Sequence, residues 1–199
     1  MRLIEYVYSV RSSFAYLGAQ RLYDLARRYD ARVIHKPVDL SAVVAATGGI
    51  PFDKISPARL AHSQREMRRW SAYLGLPITV DPTHHFGPRE LPSGMVIAAQ
   101  RGKRNADGLS FAILEALWRD DRDIADPGVL RDLANRRGLD ADQLLKEAMQ
   151  AEVQAEFAAN TEEAIKRGIF GSPTYLVGSE PFFGQDRLDF VERALDALS

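Results

Sequence analysis

The chain has 199 residues, enough to bury a sizeable core in one domain or in one domain with a large insertion. Its 26 Lys and Arg against 27 Asp and Glu leave a formal net charge of −1, which offers no electrostatic attraction to nucleic acid or to an anionic membrane. Cysteine is absent, which excludes disulfides, thiolate metal sites and a cysteine nucleophile; any thiol chemistry must use a thiol that arrives with a ligand. No basic region followed by a long apolar stretch opens the chain, and no window reaches the roughly 18 apolar residues of a membrane span, so the expected address is the cytoplasm.

Residues 2–9, "RLIEYVYS", are apolar and β-rich and read as a strand. Residues 13–29 carry Phe14, Leu17, Leu22, Leu25 and Tyr29 on one helical face. Residues 31–40, "ARVIHKPVDL", are extended, since Pro37 is unsuited to a helix interior. Two strands joined by such a helix need a crossover and are expected to be parallel. Residues 41–56, with Gly48, Gly49 and Pro51, read as a loop with at most short helical turns. A helix then runs to Leu74 and stops at Gly75 and Pro77.

Pro82, Pro88 and Pro92 punctuate residues 78–92 as a long connection. Residues 93–104 and 107–120 are helical, Asp126-Pro127 opens a third helix that Gly138 closes, and 141–167 is helical again. Asn160 with Glu163 is a candidate N-cap pair that would divide that last stretch. In the tail, "PTYLV" and "PFF" flank Gly178-Ser179 as a hairpin, and residues 185–198 form an amphipathic helix on Leu188, Val191, Leu195 and Leu198. This order is α/β and that of a thioredoxin-like fold with a large all-helical insertion between its halves. Residues 1–45 and 168–199 are expected to form the thioredoxin-like domain, and 46–167 the inserted helical domain.

Four stretches carry a family resemblance: "SSFAYL" at 12–17, "ADPGVLRDLANRRGLD" at 125–140, "GIFGSPT" at 168–174 and "GQDRL" at 184–188. With them the chain resembles the kappa-class glutathione transferases and the 2-hydroxychromene-2-carboxylate isomerases, relatives of the DsbA oxidoreductases. Thiol oxidoreductases carry Cys-x-x-Cys at the first strand-to-helix junction; here that position holds Ser12, Ser13, Phe14 and Ala15. The resemblance implies glutathione as cofactor, held by Ser12, Ser172, Pro173, Gln185 and Asp186. It implies that Pro173 is a cis proline facing the first junction, that the Ser172 backbone pairs with the cysteinyl amide of glutathione, and that Gln185 and Asp186, at a second helix start, hold the γ-glutamyl end. Gly49 and Arg59 occupy further family positions near glutathione.

Physical chemistry gives Ser12 the same task. A helix start presents unpaired N–H groups and about half a positive charge, so an anion at residues 12–15 is stabilised. A thiol of ordinary pKa about 8.5 must fall by roughly two units, about 2.7 kcal/mol, to be mostly thiolate at neutral pH. One hydrogen bond to a charged group contributes about 1.5–3 kcal/mol and the helix terminus about 0.3–1 more, which is sufficient. Taken alone, Ser12 also reads as a plain N-cap, and the two roles are compatible.

Several positions depart from the family pattern: Ser13 replaces a proline, Gly49 an asparagine, His62 and Glu66 a tyrosine and an aspartate, and Ser93-Gly94 stands where isomerases show an asparagine. These bear on the substrate more than on the fold. His84-His85 lacks carboxylate or thiolate ligands at defined spacing and reads as a solvated loop, so no metal is expected. The activity implied is a glutathione-dependent isomerisation of a small aromatic pyruvate adduct or its ring-closed hemiketal, by reversible thiolate addition and bond rotation, in a cytoplasmic homodimer. The alternatives are a kappa-like glutathione transferase and a redox-inactive thioredoxin-like binding module for an extended peptide or partner protein.

Overall fold

In the computed structural model, which describes residues 2–198, strands β1 (Arg2–Tyr8) and β2 (Ala31–Pro37) run parallel, Arg2 opposite Ala31 and Tyr8 opposite Pro37. Helix α1 (Ser13–Arg28) makes the crossover that a parallel pair requires. Strand β3 (Thr174–Val177) is antiparallel to β1, with Tyr175 opposite Tyr6, and β4 (Glu180–Phe183) is antiparallel to β3. The sheet order is β2-β1-β3-β4, so the strand that feeds Ser12 and the strand that follows Pro173 are neighbours although more than 160 residues separate them.

Residues 41–56 hold more structure than a loop. Helix α2 (Leu40–Ala46) is capped by Asp39, whose carboxylate accepts from the Ser41 and Ala42 N–H groups at 2.9 and 3.2 Å. Val43 anchors it in a small apolar cluster with Val7, Val38 and Ile169. A 3₁₀ turn follows at 52–54. Helix α3 (Pro57–Leu74) then ends on Gly75, whose φ of 62° is the left-handed stop expected there.

Helix α4 (Glu90–Arg101) starts three residues earlier than Pro92 suggests, because Pro92 sits in the first turn, where its missing N–H and its ring disturb no hydrogen bond. Helices α5 (Ala106–Trp118) and α6 (Pro127–Arg136) follow, the second closing at Gly138 as expected. The stretch 141–167 is two helices, α7 (Ala141–Ala148) and α8 (Ala151–Lys166), but Asn160 is not the break; it lies buried inside α8. The chain breaks at Met149-Gln150, where the Gln154 side chain donates to the Ala148 carbonyl at 2.6 Å and Gly94 of α4 approaches so closely that a Cβ would collide with that carbonyl. Helix α9 (Leu188–Asp196) closes the fold.

One apolar cluster extends from the sheet through α1 and α4–α7. Within it Tyr6 stacks on Tyr8 along β1 and on Tyr175 across to β3, ring centroids 3.9 and 5.6 Å apart. The buried His35 ties β2 to α5: one ring nitrogen lies 2.7 Å from the Asp107 carboxylate and the other 3.2 Å from the Tyr8 hydroxyl, which in turn meets Ser110 at 2.7 Å. Among the described residues no helix is long and apolar enough to cross a membrane.

Candidate active site

The turn from β1 into α1 is held by its own serines. The Ser12 N–H donates to the Ser9 carbonyl at 3.0 Å, and the Arg11 N–H to the Ser9 hydroxyl at 3.2 Å. Ser12 is the N-cap of α1: its hydroxyl oxygen accepts from the Ala15 N–H at 3.2 Å and its carbonyl from the Tyr16 N–H at 3.1 Å. Those two bonds leave the Ser13 and Phe14 N–H groups as the first-turn donors without a helical acceptor.

The Ser172-Pro173 bond is cis, the isomer that the resemblance implies. Ser172 lies directly against the first junction: its carbonyl accepts from the Ser12 hydroxyl at 3.3 Å, and its side-chain oxygen accepts from the Ser9 N–H at 3.0 Å. The Ser12 proton is thus directed at a backbone acceptor at the long end of hydrogen bonding, and rotation of the hydroxyl redirects it to an anion.

Two adjoining hollows open on this junction. The first, of about 400 Å³, brings Ser12 and Ser172 together with Gly49 and Arg59, and aromatic side chains including Phe14 and Trp118 line it. The second, of about 300 Å³, shares Phe14 and Ser172 with the first and reaches Trp70, Gln185 and Asp186. Pro173 is buried behind Ser172. Two wider hollows, of about 710 and 620 Å³, lie beside α4 and β2, but polar groups at their edges are already engaged, Arg104 with Glu147 and His35 with Asp107.

Gln185 and Asp186 do not start the last α-helix. They occupy a 3₁₀ turn at 185–187 before α9, because Gly184, at φ 106°, redirects the chain out of β4 first. The Gln185 side chain is buried and spoken for: the Arg21 guanidinium donates to its carboxamide oxygen and, at 2.9 Å, to its backbone carbonyl, while lying over the Trp70 ring 5.3 Å from the centroid. The carboxylate that Asp186 offers is part-exposed, with Arg187 3.6 Å away. Gly49 ends the α2 turn, its N–H on the Val44 carbonyl at 2.9 Å, and a Cβ there would stand 2.9 Å from the Val44 side chain.

The sequence reading missed two cleft residues. His85 is not part of a solvated loop: its ring is half-buried against Trp118, centroids 4.8 Å apart, and lines the first hollow. Burial, reinforced by the charge of Arg11, pulls its pKa below the ordinary 6.5, against a smaller opposing effect of Asp81. Arg11 anchors this loop, together with Asp121, which accepts from the His84 N–H at 3.2 Å. Arg11 is buried, and its guanidinium donates to the carbonyls of His84, His85 and Pro88. The available signal was a charged residue inside the apolar run "YSVRSSFAYL"; its partners, more than 70 residues away, left no mark in sequence. Among the described residues no group of three or more His, Cys, Asp or Glu is placed to hold a metal ion.

The chain is 29% identical over 195 residues to a 2-hydroxychromene-2-carboxylate isomerase of Sphingobium xenophagum, covering 98% of both chains. The solved structure of a 2-hydroxychromene-2-carboxylate isomerase superposes with a TM-score of 0.83 at 23% identity, over 98% of this chain and 95% of that one. The cytosolic disulfide reductase DsbM of Pseudomonas aeruginosa, solved with glutathione, superposes with a TM-score of 0.71 at 18% identity, over 98% of each chain. The model of the DSBA-like thioredoxin domain matches residues 3–196. The chain therefore belongs to the DSBA-like thioredoxin family, as a member whose first junction presents serine where disulfide chemistry needs cysteine.

Proposed function

We propose that the chain is a glutathione-dependent isomerase acting on an aromatic pyruvate adduct or its hemiketal, in the manner of 2-hydroxychromene-2-carboxylate isomerase. The observation that carries this reading is the Ser12 hydroxyl at the start of α1, facing the Ser172 backbone across a cleft in a chain without cysteine. The full-length relative named for that isomerisation supports an enzyme of isomerase type. The DsbM structure with glutathione supports a tripeptide thiol in this fold.

The donor set fits glutathione. The Ser12 hydroxyl and the free Ser13 and Phe14 N–H groups suit a thiolate, and together they reach the roughly 2.7 kcal/mol needed to ionise a thiol at neutral pH. The Ser172 backbone suits an extended peptide amide, and the part-exposed Asp186 carboxylate suits an ammonium at the far end of the second hollow. Glutathione held there would supply a nucleophilic sulfur for reversible addition to a conjugated double bond. Ser12 holds charge at the sulfur in both directions, while the aromatic walls keep water from the reacting carbon. The same reading takes 1–45 and 168–199 as the unit that holds glutathione, 46–167 as the unit that shapes the cleft, a homodimer as the assembly and the cytoplasm as the address.

The deciding experiment incubates the protein with glutathione and an aromatic pyruvate adduct. Rearranged substrate with unchanged glutathione is the expected result; a stable conjugate makes the protein a transferase. Calorimetric titration that gives no heat at millimolar glutathione leaves a binding module.

A further inference from the structure

Arg11 does more than the reading above asks of it. The side chain, one residue before Ser12, is 7% exposed and makes four hydrogen bonds to three backbone carbonyls: His84 at 2.7 Å, His85 at 3.3 Å, and Pro88 at 2.7 and 3.3 Å. A guanidinium has five N–H groups, so one stays uncommitted. Among the described residues no carboxylate lies within ion-pair reach of it; Asp123, Glu90 and Arg89 act only from a distance. Carbonyl dipoles satisfy the donors but leave the unit charge uncancelled in a desolvated place. Gly87, at φ 153°, packs against the group: a Cβ there would stand 2.9 Å from Nη2.

This buried cation is among the residues that line the first hollow, beside His85. The other charged residues lining that hollow, Arg59 and Asp81, are exposed and screened by solvent. Between them Phe14, Phe52, Trp118 and Phe170 offer flat apolar walls. We propose that Arg11 selects the ligand of this cleft by receiving the carboxylate of a planar aromatic acid whose rings lie among those four side chains. The inference deepens the proposed function, and rests on it for taking this hollow as the place of the reacting ligand.

The test titrates the whole protein with 2-naphthoate and with uncharged 2-naphthamide, each with and without glutathione. The acid is expected to bind at least about tenfold more tightly than the amide. Arg11→Met should bring that ratio to about one, while Arg59→Gln leaves it unchanged. If Arg11→Met fails to fold, Gly87→Ala, which crowds the guanidinium without removing its charge, must lower the ratio. A ratio near one in the unaltered protein, no binding of the acid at millimolar concentration, or a preference that survives Arg11→Met and falls with Arg59→Gln overturns the proposal. A preserved ratio without glutathione binding removes the isomerase reading and keeps this one; glutathione-dependent turnover with a ratio near one does the reverse.

Discussion

The floor of the cleft is set into the core, whereas its outer wall is laid on the surface. Ser12 and Ser172 stand at the ends of adjacent strands, cross-bonded to each other, with Tyr6, Tyr8, Ala15, Tyr16 and Leu17 fully buried behind them. The wall, residues 47–66, exposes Ile50, Phe52 and Leu60, and Met67 is the one buried residue of α3. A floor so tied cannot change without disturbing the fold, while a wall of exposed side chains can change with little effect beyond the ligand. Of the departures from the family pattern, Gly49, His62 and Glu66 lie on the wall, Ser13 at the open end of α1, and Ser93-Gly94 in the buried interior of α4.

The largest effect is expected where the floor is tightest. A Cβ on Gly18 would stand 2.7 Å from the Tyr175 hydroxyl and 2.8 Å from the Gln185 Cβ, so Gly18→Val should lower stability by about 3 kcal/mol in denaturant titration. An unaltered midpoint would show the floor to be as yielding as the wall. Ser12→Ala should reduce glutathione-dependent turnover about ten- to a hundredfold, the loss of one charge-assisted hydrogen bond. Its effect on stability should stay near the roughly 1 kcal/mol of a lost N-cap. Normal turnover would reduce Ser12 to a cap.

Asp186→Asn should weaken glutathione binding about fivefold, as befits a part-exposed ion pair, with the chemical step unchanged. On the wall, Phe52→Ala should move stability by no more than about 0.5 kcal/mol yet raise the KM for the aromatic substrate severalfold. The smallest effect concerns pH. Because the folded protein holds His85 below its unfolded pKa, the unfolded chain takes up the proton first as pH falls. The stability contribution is present above pH 6.5 and is lost as pH drops toward the folded value; His85→Gln should flatten that slope in melting curves recorded between pH 7.5 and 5.

Much of the fold was legible because its signals are local. The Ser12 cap, the Gly75 and Gly138 stops and the Asp126-Pro127 start all act within a single turn, and the parallel β1–β2 pair follows from the crossover helix. The α7–α8 break was misplaced because a glycine from α4 and the Gln154 side chain set it, rather than the residues at the break. In the site, the motifs "SSFAYL" and "GIFGSPT" marked the floor. Arg11 and His85 stayed hidden because their environment is made by a proline-rich connection whose path depends on a guanidinium more than 70 residues earlier.

The chain has two tryptophans, and they fall one to each hollow: Trp118 in the aromatic cleft, Trp70 beneath the Arg21 guanidinium beside Gln185 and Asp186. Intrinsic fluorescence is therefore divided between the two halves of the site. A tripeptide settling at the second hollow perturbs the indole that stacks on a cation, and an aromatic ligand entering the first quenches the other. With one indole replaced by phenylalanine at a time, the order in which the two ligands arrive becomes an optical measurement that needs no label.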